Sequence, residues 1–147
     1  MPREIDIQVV DPDGNMILLA EVKSRANRDL AWARQYRRNL LAHGALAGQY
    51  LLLVTRDDSF LWHNGHPSNA DDRDPDKVAP TKALLGPAFG GDLDRIDLSG
   101  TALEHLVAAW LSTIAEMPAG DMSPESRQFV LDTGLWHALR DADVRVA

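Results

Sequence analysis

Cysteine is missing from all 147 residues, which excludes disulfides and any thiolate metal site and makes the cytoplasm the expected compartment. Positive charge is also short. Fifteen lysines and arginines face 22 acids, a net charge of −7, so binding to a polyanion has to come from local rather than global charge. No apolar run is long enough to cross a bilayer, no secretory leader is read at the start, and no internal repeat is found. What remains is a chain with 45% hydrophobic residues, enough for one globular domain with its own core.

The charge deficit is uneven. Residues 1–60 carry eight acids (Glu4, Asp6, Asp11, Asp13, Glu21, Asp29, Asp57, Asp58) and eight bases (Arg3, Lys23, Arg25, Arg28, Arg34, Arg37, Arg38, Arg56). The whole excess of acid therefore lies beyond residue 60, and a face built from the first part can be locally positive.

Ile5 to Val10 alternates as a half-buried strand does, and Met16 to Lys23 is an almost unbroken apolar run. Between them stands Asp11-Pro12-Asp13-Gly14, whose proline presets φ, whose aspartate bonds the backbone and whose glycine accepts positive φ. The two strands are expected to pair as a hairpin. Counting back from the turn sets Asp6 opposite Ala20 or Glu21, and only one of these registers joins it to Glu21 and Lys23, which share a face. Two carboxylates and an ammonium are suited to hold a magnesium-type cation and to offset charge on a phosphate. The plain alternative is a solvated Glu-x-Lys pair at a strand end.

Asp6, followed after a gap by Glu21-Val22-Lys23 on the run Ile17-Leu18-Leu19-Ala20, resembles the PD-(D/E)XK nuclease superfamily, which has the restriction-endonuclease-like fold. The likeness extends to about Trp62. It implies that Asp6 and Glu21 bind magnesium, or manganese, that the Val22 carbonyl joins them, and that Lys23 assists the attacking water. It also implies that Gln35, on the following helix, orients the site. Ile5 stands where the motif has proline, and only Met1 to Glu4 precede Asp6 where family members usually place a helix and often another strand. A shortened member, or a homodimer or partner subunit covering that side, is then expected.

Asp29 to His43 reads as a helix capped by Asp29 or Asn27, with Leu30, Ala33, Tyr36, Leu40 and Leu41 as its apolar stripe and Gly44 at its end. Arg25, Arg28, Arg34 and Arg38 on and before it are candidate phosphate contacts, the alternative being a solvated helix face. Tyr50 to Thr55 reads as a central strand, and Arg56 to Ser59 as a turn into a strand Phe60 to Trp62. The expected class is α/β: a restriction-endonuclease-like mixed sheet in the order strand, strand, helix, strand, strand, with C-terminal helices packed on it. Within one domain of residues 1–147, residues 1–63 form the nuclease-like core, 64–91 a long loop and 92–147 a helical part.

In the loop, His63 and His66 have a metal-like spacing, but no second ligand pair accompanies them. Thr101 to Glu116 reads as an amphipathic helix with Thr101 and Glu104 as a capping box. Ser123-Pro124-Glu125 starts another, Gly134 interrupts it, Leu135 to Arg140 resumes it, and Val144 to Val146 is a short tail. Trp110 and Trp136 read as core or interface anchors. The functional expectation is a metal-dependent endonuclease or exonuclease acting on nucleic acid, DNA ahead of RNA. The alternatives are an inactive nuclease-like binding or assembly module and a structural oligomer.

Overall fold

The structure, a computed structural model, describes residues 6–23, 29–42, 48–63, 73–88 and 100–146. Ile5, Arg25, Asn27, Arg28, Gly44 and His66, each given a part above, lie outside the described residues, as does His43.

The chain forms a mixed α/β sheet. Its strands are β1 (Ile7–Val10), β2 (Met16–Lys23), β3 (Tyr50–Thr55), β4 (Asp58–His63), β5 (Lys77–Pro80) and β6 (Asp143–Val146). They lie in the order β5-β4-β3-β2-β1-β6. Among the described residues only β2 and β3 pair in parallel, and α1 (Leu30–Ala42) lies between them in the chain, as a parallel pair requires. α1 covers one face of the sheet. Leu19, Leu51, Leu53, Phe60 and Trp62 meet Ala33 and Leu40 there. The other face carries α2 (Thr81–Ala88), α3 (Gly100–Glu116), α4 (Pro124–Val130) and α5 (Leu135–Leu139) over Ile7, Val9, Leu18, Ala20, Leu52 and Leu61. With both faces covered, β3 is buried along its entire length. Each of its leucines contributes on the order of 1.5–3 kcal/mol by leaving water.

The β1–β2 turn closes as its residue types dictate. Asp11 Oδ1 accepts from the amides of Asp13 (3.0 Å) and Asn15 (2.8 Å), while Gly14 takes φ of 87°. Ile7 pairs with Ala20, and the register slips between Val9 and Val10. The next step toward the amino terminus sets Asp6 beside Glu21.

Among the local expectations the Asp29 cap is met, and four others give way to the structure. Asp29 caps α1, its Oδ1 accepting from the Trp32 amide at 3.0 Å. The apolar stripe of that helix is rotated, so Leu30 is exposed and Arg37 is wholly buried. Arg37 lies 5.9 Å from the centre of the Trp62 ring, where a guanidinium's flat face packs on an indole as a charged head on water could not. Residues 77–88, read as loop, form β5 and α2 instead. The strand tolerates Pro80 because it is an edge strand, and Thr81 locks the corner by donating to the Thr55 carbonyl at 2.8 Å and meeting Ser59 Oγ at 2.9 Å. The tail becomes β6, antiparallel to β1. Finally, α3 already includes Thr101, so Thr101 is not its N-cap and the capping box is not made.

The described C-terminal helices follow their signals. Ser123 Oγ accepts from the Ser126 amide at 3.2 Å with Pro124 just inside α4, and Gly134, at φ of 80°, separates α4 from α5. Tyr50 reaches across to this corner, its hydroxyl donating to the Thr133 carbonyl at 2.7 Å.

Burial and the neighbouring Asp57 push the Asp58 carboxyl above the ordinary carboxylate range. The folded chain thus holds that proton more tightly than the unfolded chain. Its stabilising effect is complete below the unfolded pKa and is lost as pH rises through the folded one. In Asp58→Asn this part of the pH–stability curve should flatten, since the turn's contacts use only the backbone amide and carbonyl of residue 58 with Thr55 Oγ1. Melting temperatures between about pH 3 and 6 read the difference.

Candidate functional site

Glu21, Val22 and Lys23 are the last three residues of β2, paired with Leu53, Val54 and Thr55 at the carboxyl end of β3. In open α/β sheets, ligands gather outside the carboxyl ends of parallel strands. Period-two alternation puts Glu21 and Lys23 on the α1 face. The Glu21 side chain is 1% exposed and that of Lys23 32%, the lysine ammonium standing 3.8 Å from Glu21 Oε2. That same ammonium lies 5.6 Å from the centre of the Tyr36 ring on α1, so Lys23 is held between a carboxylate and an aromatic face.

Asp6 sits just before β1. Its Oδ2 accepts a 2.8 Å hydrogen bond from the amide of Val22, the residue between Glu21 and Lys23. The side chain therefore lies at the end of the β1–β2 ribbon, reaching the same short stretch of β2 that carries the other two. The strand pairing ends at Ile7 opposite Ala20, and beyond it the Asp6 carboxylate is engaged by the Val22 amide and by Glu104 of α3, the helix on the sheet face opposite to α1.

Sequence reasoning missed two members of this neighbourhood. Glu104, in the second turn of α3, comes against Asp6 closely enough to share a hydrogen bond. Its carboxyl is raised above the usual range, chiefly by burial, then by the charge of Asp6 and that shared bond, while His105 and Lys23 pull the other way. The only signal in the sequence was Glu104's place in a supposed cap, which pointed to a local partner rather than one almost a hundred residues away. Trp32 is the second. It is half-buried one turn before Tyr36, with ring centres 5.5 Å apart and planes at 47°.

The other candidates fare unevenly. Gln35 is exposed, and its Nε2 donates to Asn39 Oδ1 at 3.0 Å along α1. Arg34 is paired with Asp74 at 2.8 Å. Arg38 is exposed on the same helix, while Arg25 and Arg28 lie outside the described residues. His63 stacks on Tyr50 at 4.6 Å between ring centres, and its amide and carbonyl are held by Asp76 and Arg73.

The oxygens carried by this stretch are hard: the Glu21 carboxylate, the Val22 carbonyl and the Asp6 carboxylate bonded to the Val22 amide. Among the described residues no group of three or more acidic, histidine or cysteine side chains is close enough to hold an ion unaided. The set instead matches the way magnesium is commonly held, by one or two carboxylates, with waters and substrate phosphate completing the shell. Among the described residues no helix is long and apolar enough to cross a membrane. Compared with known protein families, curated proteins and solved structures, the chain gives no match.

Proposed function

We infer that the chain is a metal-dependent nuclease of restriction-endonuclease-like fold, hydrolysing phosphodiester bonds with Asp6, Glu21 and Lys23. One observation carries the reading: an ionisable glutamate is kept at 1% exposure at the carboxyl end of β2, 3.8 Å from a lysine ammonium, with a second carboxylate bonded to the amide between them. Taking a carboxylate out of water costs several kcal/mol before its partner repays it, and a buried acid beside a charged partner is a functional-site candidate.

The residues that would hold magnesium or manganese are Asp6, Glu21 and the Val22 carbonyl, and the ion would supply Lewis acidity toward the phosphate. Glu21 fixes the Lys23 ammonium at the mouth of the site. From there Lys23 offsets the negative charge that grows on the phosphoryl oxygens as water adds to phosphorus and the bond to the leaving sugar oxygen breaks. The backbone bond from Val22 anchors Asp6, so its carboxylate does not swing freely toward solvent.

A second reading, a nuclease-like binding or assembly module without turnover, draws on the same Asp6 bond: an acid that accepts a backbone amide has a structural reason to be there. Incubating the protein with labelled oligonucleotides in magnesium, in manganese and in EDTA separates the two. Cleavage is expected with either metal and none in EDTA, and Lys23→Ala should lose it by about a hundredfold or more while keeping its fold. Undiminished cleavage in that variant removes Lys23 from the mechanism, and binding without cleavage in every metal favours the module.

A further inference from the structure

We propose that the cleft between the end of α3 and the Arg140–Asp141 turn is a binding site for an α-amino acid with a cationic side chain, arginine or lysine. The cleft lies at the opposite end of α3 from Glu104, twelve residues along the helix, or about 18 Å. It does not rest on the nuclease reading.

The cavity measures about 650 Å³, and Ser112, Glu116, Met117, Trp136, Arg140 and Asp141 are among its lining residues. Small-molecule sites run from roughly 300 to 1,000 Å³. Trp136 is the half-buried apolar wall, fixed by its Nε1 donating to the Met117 carbonyl at 3.0 Å. Arg140 lies over that ring, its guanidinium carbon 5.1 Å from the centre. Stacked in this way, a guanidinium is held by its flat face and keeps the N–H fork at its edge for a carboxylate. Among the described residues nothing else engages the side chains of Arg140, Glu116 or Asp141. One cation and two carboxylates thus line a single cavity without pairing to one another, and the last carbonyls of α3 add partial negative charge. A ligand that answers this set carries one carboxylate, for Arg140, and two cationic groups, for Glu116 and Asp141. An α-amino acid with a basic side chain has those charges on one short stem.

The backbone points the same way. Arg140 (φ −63°, ψ 132°) and Asp141 (φ 63°) are the inner residues of a tight turn, closed by the Ala142 amide donating to the Leu139 carbonyl at 3.1 Å. This is type II geometry, whose second inner position has positive φ and therefore favours glycine. Among the described non-glycine residues Asp141 is alone in having positive φ, and its carboxylate makes no bond within the fold to offset the strain. Strained positions of this kind cluster at ligand clamps, and this one lines the cavity.

The test is isothermal titration calorimetry on the full chain. L-Arginine or L-lysine should bind saturably. Agmatine, which lacks the carboxylate, and L-leucine, which lacks the side-chain cation, should each bind roughly tenfold more weakly or worse, as the loss of one hydrogen bond between charged groups implies. L-Glutamate should not bind. Arg140→Gln should abolish the preference for arginine over agmatine. Asp141→Gly should weaken arginine binding by roughly tenfold or more, yet melt no lower than the wild type, because glycine relaxes the turn. No saturable heat with arginine or lysine, glutamate binding as tightly as either, or wild-type affinity in a folded Arg140→Gln overturns the site. Unchanged arginine affinity in Asp141→Gly overturns the part given to Asp141.

Discussion

Glu21→Gln should lose metal-dependent cleavage by about a thousandfold, yet melt no lower than the wild type. The two halves of this result have different causes. Activity falls because a neutral amide neither binds a hard cation as a carboxylate does nor fixes the Lys23 ammonium 3.8 Å away. Stability holds because the substitution removes a charge that is 1% exposed and replaces it with a group of the same shape. The lysine left behind is 32% exposed, so it keeps its water and is not stranded as a buried charge. A purely structural ion pair makes the opposite forecast: lower melting temperature and unchanged turnover. Thermal unfolding and initial rates on one preparation decide between them, and wild-type rates in Glu21→Gln would dismiss the glutamate from the reaction.

Trp62→Ala should be the most damaging single change to the fold, costing about 3–5 kcal/mol and lowering the melting temperature by roughly 10 °C or more. Trp62 is wholly buried on β4. Its Nε1 donates to the Arg73 carbonyl at 3.0 Å, and its ring lies 6.4 Å from that of Phe60 and 5.9 Å from the Arg37 guanidinium. Truncation leaves a cavity, an orphaned carbonyl and a buried cation stripped of its aromatic cover. Trp62→Phe, which keeps a ring beneath Arg37 and loses the indole donor, should cost less. Denaturant midpoints at an unchanged slope report the difference.

Much of the α1 side of the sheet was legible in the sequence, because there each segment's local preference agrees with its place. The Asp-Pro-Asp-Gly turn, the alternation into Val9 and the unbroken run of β3 left little choice, and the hairpin, α1, β3 and β4 lie where these signals put them. Breaker residues misled elsewhere. Pro80 and the Gly86-Pro87 pair read as loop, yet an edge strand has no neighbour for proline to disappoint, and Pro87 sits in the last turn of an eight-residue helix. The rotation of α1 was hidden for a different reason: arginine counts as a surface residue by composition, and nothing local announced that an indole waited beneath Arg37. At the candidate site, strand period put Glu21 and Lys23 on one face, while the turn left Asp6 opposite either Ala20 or Glu21. Glu104 and Trp32 were not, since their importance comes from neighbours that only the folded chain supplies.

The strand that follows Asp6 is flanked by β2, a few residues away along the chain, and by β6, where residue 7 meets residue 146. The first pairing closes a small loop quickly, while the second must await a long excursion of the polypeptide. Refolding molecules should therefore close the hairpin, and with it the bond that anchors Asp6 to the Val22 amide, before β6 seals the outer flank.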